Sequence, residues 1–217
     1  MTDLHNTLIN NTIAFVKENL HDAEPGHDWF HIERVYRNAK LLAQDLSINM
    51  LVIELAALLH DIADAKFHNG DETIGPKLAN DFLTLQSVDK DVIVEVLNII
   101  KSMSFKNSFS FNQKASLEFQ IVQDADRLDA IGAIGIARAF SYGGHKGRPF
   151  YNPEIKPENF TETAQYKNSK SPTINHFYEK LLLLKDKMNT PKAKELAEKR
   201  HQFMLSYLDN FYEEWGE

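Results

Sequence analysis

Residues 51–68 read LVIELAALLHDIADAKFH, an apolar run that stops on an adjacent histidine and aspartate, His60 and Asp61. Leu51, Ile53, Leu55, Leu58 and Leu59 recur at helical spacing, and Ser47 or Asn49 just upstream can cap the helix they imply. The spacing predicts that this third helix runs on to about His68-Asn69-Gly70. Two ligand-type side chains beside so apolar a run need partners, because a buried unpaired carboxylate is costly. On this pair alone, an ion pair with an arginine from elsewhere is favoured over metal coordination.

Outward from this helix, almost every segment is also helical in period. Leu8, Ile13, Phe15 and Val16 mark a first helix ending near His21, and Pro25-Gly26 breaks the chain before a second from about His27 to Leu46. Asp71-Glu72 suits the positive start of a fourth, which Gly75-Pro76 delays or distorts. Ser87 or Asp89 opens a fifth, carrying Val92, Val96, Ile99 and Ile100. In SFKNSFSFNQK, residues 104–114, the alternation at Phe109 and Phe111 is too short to read as a strand. A long helix is expected from about Lys114 through Asp126 and into AIGAIGIARAF, where Gly132 and Gly135 join alanines in a small-residue face for another helix. Residues 142–171, rich in glycine, proline and polar side chains, read as a lid-like loop. Helices return after Pro172 and at Thr190-Pro191, a cap followed by a first-turn proline, to about residue 215. The expected fold is all-α: a single-domain helical bundle over residues 1–217 with a long polar loop near 142–171.

Composition limits the function classes. The 217 residues suit one large domain at roughly 150 residues per domain, and 43% hydrophobic with 25% charged residues is ordinary for a globular protein. Lys plus Arg number 24 against 31 Asp plus Glu, a net charge of −7 with no basic run. That argues against coating a nucleic acid, yet leaves room for a small phosphorylated substrate at a local basic rim. With no cysteine, disulfides, iron–sulfur clusters, thiolate metal sites and cysteine nucleophiles are all excluded. Any metal must be held by imidazole and carboxylate. The start, MTDLHNTLINNTIAFVKENL, lacks a basic region followed by an apolar stretch, and runs such as Leu181–Leu184 are far too short to span a bilayer. A cytoplasmic protein without a membrane partner is expected.

Two further segments reweight the pair at 60–61. In GHDWFHIERVYRNAK, residues 26–40, the spacing puts His31, Arg34 and Asn38 toward the apolar side of a helix. In EFQIVQDADRLDAIGAIG, residues 118–135, Asp124, Asp126 and Asp129 interrupt an otherwise apolar helix. Histidine, then histidine-aspartate, then aspartate on three helices is one way for a bundle to hold a metal.

The segments GHDWFHIERV, AALLHDIADAKF and QDADRLDAIGAIGIARAF, in that order, resemble the HD-domain metal-dependent phosphohydrolase superfamily, whose signature is H…HD…D. The chain looks most like a small bacterial subgroup of the YpgQ and YedJ type, and the similarity continues through YGGHKGRPFY into the C-terminal helices. The resemblance implies metal ligands at His31, His60, Asp61 and Asp126, in a core site spanning about residues 27–138. Asp126 is preferred to Asp124 and Asp129 for its ADRL context; Asp124 is then a candidate to hydrogen-bond a ligand histidine, and Asp129 to line the pocket. His27 either lines the pocket or caps its helix. A ligand set without thiolate suits one divalent ion, Mn2+ foremost, with Fe2+, Co2+, Ni2+, Mg2+ and Zn2+ in range. Dinuclear relatives carry two more histidines before the last aspartate; here only His68 lies in that interval, so one ion is expected.

Asp64 lies four residues past His60 and, on a continuing helix, projects from the same face, placed to orient the attacking water or protonate a leaving group. Several HD hydrolases carry an acid at the matching position. Lys66 and His68 follow it as weaker candidates beside a phosphate. Arg34, Arg127, Arg138, Lys146 and Arg148 are the better ones, although Arg34 and Arg138 have an internal salt bridge to Asp124, Asp129 or Glu33 as the alternative. GGHKGR, residues 143–148, joins glycines to basic groups but lacks the strand-to-helix setting of a phosphate-binding P-loop. The chain also lacks the HD-x-x-E-D pattern of alarmone hydrolases, reading HDIADA instead. The resemblance thus implies an enzyme acting on a nucleotide, first a nucleoside triphosphate pyrophosphohydrolase. The alternatives are a nucleoside 5′-monophosphatase and a non-catalytic nucleotide-binding regulatory module with a structural metal.

Overall fold

A helix that is apolar all round has to be enclosed. Helix α3, Met50–Leu59, meets that condition: every residue from Val52 to Leu59 is buried, and the Asn49 side chain caps its start by accepting from the Val52 N–H at 3.4 Å. In this computed structural model, which describes residues 3–21, 26, 28–63, 71, 73–103, 115–158 and 171–216, α3 is packed on by α1 (Asp3–Asn19), α2 (Trp29–Leu42) and α5 (Lys90–Ser102). Helix α4, Ile74–Leu85, packs against α5, and its Phe82 ring stacks on Phe15 of α1 at 4.1 Å. Truncating a core leucine such as Leu58 to alanine would cost about 2–5 kcal/mol.

The chain falls into two compact units, Met1–Asp126 and Arg127–Glu217, divided within helix α6, Leu117–Asp129. In the first unit, α6 is tied down at both ends: Glu118 accepts from the Asn49 N–H at 3.0 Å, and Ala125 from the Asn38 amide at 3.4 Å. The second unit holds α7 (Gly132–His145), α8 (Asn175–Glu179), two short 3₁₀ turns and α9 (Pro191–Trp215). No strand occurs among the described residues, so the all-α expectation holds.

Three element boundaries differ from expectation, each for a local reason. Helix α2 spans Trp29–Leu42 rather than His27 to Leu46, because Asp28 caps its start and Asp45 takes a left-handed φ of 63° beyond its end. Helix α3 stops at Leu59 instead of reaching 68–70. The His60 imidazole there donates to the Ala57 carbonyl at 2.9 Å as the chain leaves the helix. The single long helix expected through Asp126 into AIGAIGIARAF is broken at Ala130-Ile131, where Gly132 turns the chain with φ 78°. Helix α7 also carries on through Tyr142 to His145, so the polar segment begins at Lys146, with the Lys146 N–H closing on the Tyr142 carbonyl at 3.0 Å. Its shoulders are joined: Thr173 and Ile174 N–H groups donate to Pro149 and Phe150, and the Asn175 amide to Ile155.

Candidate metal centre

Local chemistry sets each histidine. Asp28 accepts from the backbone N–H of His31 at 3.0 Å, which fixes the first turn of α2 and puts His31 at its third position, 1% exposed. The carbonyl of Ala57 can only accept, so Nδ1 of His60 donates to it and Nε2 is turned the other way. That Nε2 is buried and makes no hydrogen bond. The two imidazoles meet edge to face, centroids 5.4 Å apart.

Asp126 closes the group from α6. Its Oδ1 lies 3.6 Å from His31 Nε2 and 3.9 Å from His60 Nε2, beyond ordinary hydrogen-bond length in both cases. One ligand atom from each of the three residues lies within 4.8 Å of the others. Two atoms each about 2.1 Å from one ion can stand no more than about 4.2 Å apart, and both carboxylate–imidazole separations fall inside that span. An orphaned buried imidazole nitrogen facing a carboxylate across too wide a gap fits a divalent cation. The Asp126 side chain is 37% exposed, which leaves this side of the group open to solvent.

The other expected residues fall in several places. Asp61 follows His60 directly and is half-buried, outside the group formed by the three. Asp124 is fully buried, and Asp129 pairs with Arg138 at 2.6 Å, the internal salt bridge that was the alternative for that arginine. Arg127 donates to the Lys187 carbonyl, and Arg34 is half-buried on α2. Lys146 and Arg148 both stand over the ring of Tyr142, 5.5 and 5.6 Å from its centre. His27, Asp64, Lys66 and His68 lie outside the described residues. Helix α3 ends before His60, and residues 60–63 form a turn rather than the continuing helix expected there.

Sequence reasoning passed over a second buried polar group. Glu54, 1% exposed in the middle of α3, receives the Tyr36 hydroxyl at 2.9 Å, His5 Nε2 at 2.6 Å and Lys40 Nζ at 3.2 Å. Burial and the Glu54 carboxylate push the Tyr36 phenol up. Burial draws the Lys40 ammonium down, but Tyr36 and Glu54 outweigh it and the net shift is upward. The signal was present: a lone acid in MLVIELAALL cannot be buried without partners.

Two imidazoles and a carboxylate, from α2, the end of α3 and α6, form a group able to hold a metal ion in an all-helical unit. The sequence matches the HD domain family over residues 29–131. It is 39% identical over 198 residues to the uncharacterised protein YpgQ of Bacillus subtilis, covering 90% of this chain and 87% of that one. The structure of YpgQ in complex with ADP is similar at a TM-score of 0.78 and 34% identity, covering 97% of this chain and 96% of YpgQ. An HD-superfamily hydrolase from Bacillus thuringiensis gives a TM-score of 0.77 and 44% identity, covering 97% and 98%. The chain belongs to the HD-domain family.

Proposed function

We propose that residues 1–217 act as one metal-dependent phosphohydrolase, which splits nucleoside triphosphates to the monophosphate and pyrophosphate by adding water across the α,β-anhydride. The observation that carries the reading is the buried, unpartnered Nε2 of His60 beside His31 and Asp126. The ADP in the YpgQ complex supports a nucleotide as the ligand class. His31, His60, Asp61 and Asp126 would hold one divalent ion, Mn2+ first among the candidates. When bound, such an ion polarises a phosphoryl oxygen and lowers the pKa of a water by several units, to about 7.

The remaining roles belong to side chains. The hydrogen bond from Nδ1 of His60 to Ala57 holds the ring so that Nε2 is presented as a ligand. Asp64 is proposed to move the proton between water and leaving group, and Arg34, Lys66, Lys146 and Arg148 to neutralise phosphate charge. Arg127 and Arg138 are weaker candidates, since the Lys187 carbonyl and Asp129 occupy them. His27, His68 and Asp124 are proposed to border the ligands. We expect Mn2+-loaded protein to release pyrophosphate from nucleoside triphosphates. Free phosphate released from nucleoside 5′-monophosphates alone would sink the triphosphate reading.

A further inference from the structure

Asn38 is a buried amide on the core face of α2, 8% exposed, seven residues and so two helical turns beyond His31. Its Nδ2 donates to the carbonyl of Ala125 at 3.4 Å, the residue immediately before Asp126. That carbonyl lies inside α6, where the helical ladder already uses one of its lone pairs. The amide therefore rescues no orphaned group, and a leucine at this position would bury more apolar surface. Some other requirement must account for it.

From this geometry we infer that Asn38 is a positioning residue for the Asp126 carboxylate. Helix α2 meets the α6 segment at two points: His31 Nε2 faces Asp126 Oδ1 at 3.6 Å, and Asn38 grips the backbone one residue earlier. The Glu118–Asn49 contact holds the start of α6, and the Asn38 contact adds a fixed point beside Asp126 itself. A one-residue slip of α6 moves each side chain about 1.5 Å along the axis and roughly 100° around it, which would carry Asp126 away from both imidazoles. The same α2 face thus carries a ligand and the device that sets the register of another. The inference rests on the metal reading of His31, His60 and Asp126.

The test is Mn2+ affinity, by titration calorimetry and by the electron paramagnetic resonance signal of free Mn2+, on wild type, N38L and N38A. The midpoint of urea unfolding is measured beside it without metal. Both substitutions favour the helix and remove the whole amide, one keeping bulk and the other not. Mn2+ binding about tenfold weaker in N38L or N38A, at an unfolding midpoint close to wild type, supports the assignment. Wild-type affinity in both variants overturns it and leaves the metal reading standing. Affinity and unfolding midpoint falling together in both makes Asn38 a packing residue and also overturns it. Wild-type protein that takes up no Mn2+ overturns the metal reading, and this inference with it.

Discussion

His60 and Ala57 are joined by a hydrogen bond of 2.9 Å from the imidazole Nδ1 to the carbonyl three residues back, at the point where α3 stops. This interaction holds the ring where the helix stops and turns Nε2 toward Asp126. H60A should therefore lose bound Mn2+ almost completely while keeping its helical content, because the removed group lies at a helix end rather than inside α3. For wild-type protein, Mn2+ at about 100 times its dissociation constant should stabilise the fold by roughly 2–3 kcal/mol, and chelation should reverse this. Thermal melts with and without Mn2+, alongside elemental analysis, would check both statements. An equal metal-dependent shift in H60A would remove His60 from the site.

Glu54 should matter to stability and not to the metal. In Y36F the carboxylate loses a hydroxyl donor but keeps His5 and Lys40, so the loss is expected at about 1.5–3 kcal/mol, the usual range for a hydrogen bond to a charged group. Urea unfolding gives that number, and Mn2+ affinity should stay at its wild-type value. A changed affinity would mean that the Glu54 group communicates with the site, which no interaction described above provides.

These two groups also show why the sequence was legible in one respect and opaque in another. The apolar period of LVIELAALL is a property of residue type and spacing, so helices can be read directly, whereas the ligand set His31, His60, Asp61 and Asp126 comes from the resemblance. Helix ends depend on which group reaches a carbonyl or N–H first. The left-handed Asp45 and the break before Gly132 are such competitions, and periodicity cannot weigh them. Arginine partners are similar: Arg138 had three candidate acids, and only the turn between α6 and α7 selects Asp129. Asp64, Lys66 and His68 lie beyond the described end of the same segment and remain proposals.

His176, in α8, gives the second unit an acid-sensitive point. Burial, then the nearby Lys180 and Arg148 charges, depress its pKa from 6.5 to about 3. The folded chain thus refuses a proton that the unfolded chain accepts between those values. The stability linked to His176 is whole above pH 6.5 and is lost progressively as pH falls toward 3. At pH 5 the loss should reach about 2 kcal/mol. H176N should flatten this part of the stability profile, so its unfolding free energy should vary less between pH 7 and pH 5 than that of the wild type. Parallel profiles for the two proteins would show that His176 titrates freely.

Gly135 provides a test in which helix propensity and packing disagree in sign. Alanine is the better helix former by about 1 kcal/mol, so an exposed glycine within α7 invites replacement. Gly135, however, is buried in the second turn after the break, and a Cβ added there would collide with the backbone carbonyl of Ala130. Ala130 cannot retreat easily, because its own N–H is tied to Arg127 at 3.2 Å, and the next N–H, of Ile131, to Leu128 at 3.3 Å. The collision involves main chain on both sides and no flexible side chain can absorb it. G135A should consequently destabilise by about 1–3 kcal/mol, the scale of imposed local strain. G144A is the matched control: the same residue type on the same helix, with nothing within 4 Å of the added carbon, and it should leave stability unchanged or raise it. Equal unfolding midpoints for the two variants would mean that the turn between α6 and α7 yields freely, and that a small-residue face explains Gly135 well enough.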